Sequence, residues 1–252
     1  MAAANEVLEK VLTKYNAAVA QSSVIRGANT RLTKKGSVPS WQDAQDLAGE
    51  AGRLMGGILA DELAAAFASD EPLSEADVLA IIPPALRQNH DFVASYVKRM
   101  QQLQNSDAHL PPTAPDMPFD KDRADGIAVS ASRAEKMAEH LAEMREEIET
   151  NSRIDVDRAL EEEAAIHEEM GLFPRIVRTA DPNCCEWCSM MAGEQEYRPG
   201  MDTAIFRRHK NCRCLISYDP SGSRNAQRLV RFGRKMTDTS AKVIEKRIRG
   251  AS

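Results

Sequence analysis

Cys184, Cys185, Cys188, Cys212 and Cys214 are the five cysteines of this 252-residue chain, and no other position carries a thiol. They fall in two short runs, D-P-N-C-C-E-W-C and R-R-H-K-N-C-R-C. Cys185-x2-Cys188 forms one half of a site, and His209-x2-Cys212-x-Cys214 the other. Two such turns brought together by a hairpin supply thiolate and imidazole donors to a tetrahedral zinc ion. Zinc suits these ligands because thiolate is a soft donor and the ion has no redox chemistry to damage it. A small module with few apolar residues also gains its folding energy from a structural metal, about 10–16 kcal/mol in zinc-binding peptides.

There are more donors than places. The two-residue spacing lets Cys185 and Cys188 face one point, and Cys184 then points away. His209, Cys212 and Cys214 compete for the other two positions. The expected metal ligands are therefore drawn from Cys185, Cys188, His209, Cys212 and Cys214, with four to be selected. A disulfide staple, or reduced cysteines that merely pack, is the bland alternative. A catalytic ion is a third, but it keeps an open position and has an acid or base beside it. The local carboxylates, Glu186 and Glu194, read as solvated surface charges. Trp187, between two cysteines, reads as a packing anchor.

The elements that must position these residues are short. Arg175-Ile176-Val177-Arg178-Thr179-Ala180 alternates and is β-branched, which predicts a strand running into the first turn. Cys185 to Met191 reads as a turn leading into a short helix ended by Gly193. Leu215 to Tyr218 predicts a second strand, closed by Asp219-Pro220. The site then sits between two strands of a small sheet.

The remainder reads as helical. Aromatic residues make up only 5% of the chain, so the core must be built from Ala, Leu, Val, Ile and Met, which favours helices over a β-sandwich. Val7, Leu8, Val11, Leu12, Tyr15, Ala18 and Val19 recur at helical steps within residues 5–25. Residues 26–39 read as a loop. Ser40 and Asp43 resemble a capping box opening a helix to about Ala68. Within it Gly49, Gly52, Gly56 and Gly57 imply close approach of another helix, or else a kink. A short helix from Ser74 is expected to stop before Pro83-Pro84, and another to run from about Ala85 to Gln104. Pro111, Pro112, Pro115 and Pro118 make residues 105–126 an extended linker, or an arm packed on a neighbour. A long helix is expected over residues 127–170, breaking at Asn151-Ser152 or Ile154-Asp155 and ended by Gly171. Its Glu161, Glu162, Glu163, Glu168 and Glu169 read as a solvated face. His140 and His167 read as surface or core residues.

The expected class is thus α+β: a predominantly helical N-terminal body with a small Cys/His-stapled α+β module near the C-terminus. The divisions are 1–104 helical, 105–126 linker or arm, 127–220 long helix plus module, and 221–252 basic tail. Charge is divided along the same line. Residues 198–252 carry 14 Lys and Arg against 4 Asp and Glu, net +10, leaving net −15 on residues 1–197. The basic end can meet nucleic acid, an acidic partner surface, or the acidic helices of its own chain. Neither a secretory signal nor an apolar run of about 20 residues is visible, so the expectation is a chain made in the cytoplasm without a membrane span.

The stretch R-I-V-R-T-A-D-P-N-C-C-E-W-C-S-M-M-A-G, followed by R-R-H-K-N-C-R-C-L-I-S-Y-D-P, resembles the minor head proteins of tailed phages, the Mu F-type head morphogenesis and minor capsid proteins. The likeness covers roughly residues 150–220, and Cys185, Cys188, His209, Cys212 and Cys214 match the family's motif positions. It implies a virion or procapsid component inside the head near the portal, needed for head assembly or DNA packaging, with portal protein or major capsid protein as partners. It carries over no catalytic residue, and the chain is not expected to be an enzyme. Arg224, Arg228, Arg231, Arg234 and Lys235 of the tail are candidates for contact with packaged DNA, through phosphates rather than bases. A zinc-module DNA-binding protein outside a virion, or a metal-dependent nuclease using His209, are the competing readings.

Overall fold

A computed structural model describes residues 2–68, 74–110, 114–133, 137–209 and 211–219. The chain is α+β and helix-dominated, as its composition implies. Six helices form the body: α1 Ala2–Gln21, α2 Ser23–Thr33, α3 Trp41–Phe67, α4 Glu75–Asp107, α5 Lys121–Ser132 and α6 Met137–Glu169. The C-terminal part holds strand β1 Arg175–Thr179, the single-turn helix α7 Glu186–Met190, strand β2 Gly193–Glu196, a 3-10 turn at Thr203–Phe206, and strand β3 Leu215–Asp219. The three strands are antiparallel in the order β2-β1-β3. Among the described residues no helix is long and apolar enough to cross a membrane.

Several boundaries differ from those the sequence predicts. Residues 26–33, expected as loop, belong to α2, because Ser22 accepts from the Ile25 backbone N–H and so starts a new helix one residue after α1. Helix α4 runs straight through Pro83-Pro84. Each proline removes a backbone donor and costs roughly 3 kcal/mol in a helix interior. Both prolines, however, lie on the outer side, while Val78, Ile81, Ile82, Ala85 and Leu86 are at most 2% exposed. Burial of an aliphatic side chain contributes about 1.5–3 kcal/mol, so the inner face outweighs the two lost bonds. The single β-strand partner of β1 expected from the sequence is joined by a second, β2, whose Gly193, Glu194, Gln195 and Glu196 carry no apolar alternation.

The linker or arm expected over residues 105–126 is shorter than its prolines suggest: α4 extends to Asp107 and α5 begins at Lys121. Residues 114–120 lie against the body. The Met117 carbonyl contacts His90 Nε2 at 3.0 Å, and Phe119 meets the His90 ring edge-on. Asp120 caps α5 and binds Arg158 of α6 at 2.8 Å. Pro111 and Pro112 lie outside the described residues.

Helix α6 is unbroken at residues 151–155. Ser152 and Asp155 are buried and paired instead. Ser152 Oγ accepts from Asn89 at 2.6 Å and donates to the Ile148 carbonyl at 3.0 Å, while Asp155 meets His90 at 3.0 Å. Glu163 also departs from the solvated-face reading. It is 3% exposed and accepts from Asn105 Nδ2 at 2.7 Å. His167 is in the core, as one of its two readings allowed, stacked on Tyr218 of β3 and hydrogen-bonded to its hydroxyl.

Helix α3 crosses α6 on a glycine seam. A Cβ on Gly52 would lie 2.5 Å from Ser152 Oγ and 2.8 Å from Glu149 Cα, and one on Gly56 would lie 2.9 Å from the Arg145 carbonyl oxygen. At Gly49 the neighbour is the Arg153 guanidinium. Gly57 faces away and has nothing within 4 Å. Beside this seam a single apolar cluster joins Ile25, Trp41, Leu47, Val97, Val156 and Leu160 of the body to Ile176, Ile205, Phe206 and Ile216 of the C-terminal part. The sheet therefore shares a core with the helices across residues 1–104 and 127–219.

Two tests follow from this packing. Gly52→Ala should destabilise the chain by about 1–3 kcal/mol through overpacking, whereas Gly57→Ala should stabilise it by about 0.5–1 kcal/mol through helix propensity. Urea unfolding of the two variants against the parent measures both. The second concerns Glu163 and His167, whose Oε1 and Nε2 lie 3.5 Å apart. Burial raises Glu163 from 4.5 to about 7 and lowers His167 from 6.5 to about 4. The raised carboxyl contributes stability that is lost as pH rises through its folded value; the depressed imidazole contributes stability that is lost as pH falls below its unfolded value. Between pH 4.5 and 6.5 the folded chain holds its proton on the carboxyl and the unfolded chain on the imidazole, so the two contributions cancel. Glu163→Gln removes one of them. Its stability should climb more steeply with pH across that window than the parent's, as followed by urea midpoints at half-unit pH steps.

Candidate metal centre

The first turn is built by Asp181. Its carboxylate accepts from the Asn183 backbone N–H and its carbonyl from the Cys184 N–H, both at 2.9 Å. The chain then enters α7 with Cys185 at the N-cap position in extended conformation. Cys188 is the third residue of that helix. An N-cap side chain and the third helical side chain lie on one side of the first turn, the relation a capping box uses. Here it carries two sulfurs. The second turn relies on Asn211, which adopts φ +61°, a left-handed conformation that asparagine tolerates better than most residues. It brings the Cys212 N–H to the His209 carbonyl at 3.2 Å, and its side chain donates to Glu146 of α6 at 2.8 Å.

The two turns meet. Cys185 Sγ lies 3.3 Å and Cys188 Sγ 3.0 Å from His209 Nε2, and Cys188 Sγ lies 3.6 Å from Cys212 Sγ. Around a tetrahedral zinc ion two sulfurs would be about 3.8 Å apart, and a sulfur and a nitrogen about 3.6 Å. Cys185, Cys188 and His209 form one group close enough to hold a metal ion, and Cys188, Cys212 and Cys214 a second, with Cys188 common to both. Cys188, Cys212 and Cys214 are buried, and Cys185 is exposed. All five cysteines are free, and the 3.6 Å between Cys188 Sγ and Cys212 Sγ is far beyond the ~2.05 Å of an S–S bond. Cys184 does not turn fully away. It packs against the buried three beside Ala180 and Trp187.

Sequence reasoning missed the residues that hold the cluster in place. Arg178 is 1% exposed. Its Nη2 donates to both Cys188 Sγ and Cys212 Sγ at 3.4 Å, and its Nη1 to the carbonyls of Ile205 and Arg207 at 2.7 and 2.8 Å. Trp187 lies over this guanidinium, 5.1 Å from centroid to Cζ, and meets the His209 ring edge-on. Trp187 is thus a packing anchor, as expected, but its packing partners are a cation and a candidate ligand. Arg208 is also buried. It forms a two-pronged ion pair with Asp157 of α6 and donates to the carbonyls of Cys212 and Cys214 at 3.2 and 2.8 Å. Gln45 of α3 completes Asp157 at 2.6 Å. One sequence signal was present: period-two alternation puts Arg178 on the same face as the core residue Ile176, and β1 buries that pair. Nothing in the sequence pairs Arg208 with Asp157, 51 positions away.

Burial pushes the Cys188 thiol up to about 12, against the pull of Arg178. Binding a metal there must expel that proton, so affinity for the ion weakens as pH falls. The tail residues Arg224, Arg228, Arg231, Arg234 and Lys235 lie outside the described residues. Comparison with protein-family models, with curated proteins and with solved structures finds no match.

Purified chain should carry about one divalent ion by elemental analysis. Cys188→Ser, which breaks both groups at once, should abolish retention of the ion and loosen residues 181–214 while α1 to α6 keep their far-ultraviolet signal. Equal metal content in the variant and the parent would remove the cluster from consideration.

Proposed function

We propose that this chain is a minor capsid protein of a tailed phage or prophage. Its Cys/His module is a structural staple closed by zinc, and it acts in head morphogenesis near the portal. The observation that carries the reading is a coincidence of residues. The positions that give the likeness to Mu F-type head proteins, Cys185, Cys188, His209, Cys212 and Cys214, are those drawn into one cluster, clamped by Arg178 and Arg208 onto the helical body. Sulfur-rich donors favour zinc. The protein offers five donors for four places, whereas a catalytic ion keeps a place for water. The ion's work is then mechanical, and the nuclease reading has no support from the site.

In this reading the helical half docks on portal protein or major capsid protein inside the head. The basic tail, with Arg224, Arg228, Arg231, Arg234 and Lys235, meets packaged DNA by its phosphates. The net charge of +10 on residues 198–252 keeps a DNA-binding zinc module outside any virion as the second reading. Mass spectrometry of purified particles and proheads, from a host strain that carries this gene, separates them. The chain should co-purify with the head proteins, and deleting its gene should cut the yield of DNA-filled heads at least tenfold. Its absence from both particles and proheads overturns the assignment.

A further inference from the structure

A buried guanidinium needs an anion. Arg178 is 1% exposed, and no carboxylate of the described residues forms a hydrogen bond or ion pair with it; its contacts are two carbonyls, two sulfurs and the face of Trp187. The buried carboxylate that feels its charge, Asp157, is already engaged by both prongs of Arg208 and by Gln45. Counted together, Arg178, Arg208 and Asp157 leave one positive charge in a region closed to water. An isolated charge in such a place costs several kcal/mol. Neutral thiols cannot offset it.

A metal–thiolate centre can. A divalent ion with three thiolates and one neutral imidazole carries one negative charge, and four thiolates would carry two. We propose that Arg178 is the built-in counter-cation of the metal centre. It lies against the sulfurs of Cys188 and Cys212, and Cys188 is common to both donor groups. Arg178 is a positioning residue here: its Nη2 sits between the two sulfurs, one from each turn, so it registers the turns against each other as well as balancing their charge. The two carbonyls on Nη1 hold the guanidinium in that plane. This inference rests on the metal-staple reading but not on the assignment to phage heads.

Cobalt(II) loading of the full chain tests it, because thiolate-to-cobalt charge transfer reports both the number and the environment of the sulfurs. Wild-type chain should show a thiolate-to-cobalt band, and Cys188→Ser, which removes the donor common to both groups, should lower its intensity. Arg178→Met should weaken cobalt retention against a competing chelator at least tenfold. It should also move the charge-transfer band to lower energy, since removing a cation raises the sulfur lone pairs; a loss of packing alone would not move the band. Arg178→Lys, which keeps the charge and should fold where the methionine variant does not, should keep the band near its wild-type position. Wild-type affinity in Arg178→Met with an unmoved band, or a displaced band in Arg178→Lys, overturns the proposal. Failure of the wild-type chain itself to bind cobalt or zinc would instead sink the staple reading beneath it.

Discussion

The contact between Arg208 and Asp157 is the constraint on which the C-terminal part depends. Both side chains are almost fully withdrawn from water, at 0% and 2% exposure. Two charges so placed are tolerated only with near-complete hydrogen bonding. That condition is met from three directions: Gln45 from α3, the carboxylate from α6, and the carbonyls of Cys212 and Cys214 from the second turn. A hydrophobic pair of similar volume would pack as well, but it would not set a register. The fork of Arg208 reaches the carbonyls on either side of Arg213 and so specifies where the cysteine turn sits relative to the helices. The polar joint selects one position, and the shared apolar cluster around Ile176 and Ile216 supplies the attraction.

This joint places a demand on helices far from it in sequence. Asp157 and Gln45 can meet only if α3 and α6 approach closely, and the glycines at 49, 52 and 56 permit that approach. The same crossing carries Ser152 to Asn89 and Asn89 to Tyr15, a buried chain of hydrogen bonds from α6 through α4 to α1. The polar residues along one side of α6, Ser152, Asp155, Asp157, Glu163 and His167, each meet a partner on another element. A core built mainly from Ala, Leu, Ile and Val has few distinctive shapes, so sliding by one helical turn would cost little in apolar burial. Unpaired polar groups make such a slip expensive.

How far this could be read in advance depended on whether the information was local. The capping boxes at Ser40 and Ser74, the Gly171 terminator and the alternation of β1 are local patterns, and they appear where the sequence puts them. Three of the four helix glycines do face a neighbouring helix, and the facing element proved to be α6. The donor spacing brought the two turns together as expected. The readings that failed were those in which a local preference met a tertiary one. Pro83 and Pro84 argue against a helix, but they sit outside a buried stripe strong enough to continue it. Asn151 to Asp155 looks like a break because most of its side chains are polar, yet Ser152 and Asp155 spend theirs on partners 63 and 65 positions away. Glu163 in an acidic run looks solvated for the same reason. Strand β2 has no signal of its own, because an edge strand facing solvent can be made of Gly, Glu and Gln when its register comes from β1.

The division of labour within the cluster bears on what an ion there would do. In a free-standing zinc finger the metal replaces the core. Here Ile176, Ile205, Phe206 and Ile216 are already buried against the helical body, so the sheet has an apolar core without any ion. What the apolar core does not fix are the two turns, residues 181–188 and 207–214, whose described side chains are largely polar. Cys185 and His209 stand at the outer side of the cluster, and Cys188 and Cys212 at the inner side against Arg178. An ion bound across them would join the outer surface of the module to a buried charge network that reaches α3 and α6. A force applied at those turns by a bound partner would then be carried into the helical body through ligand bonds and ion pairs rather than through loop backbone. That is a mechanical reason for a chain with an adequate core to keep five cysteines within 31 residues.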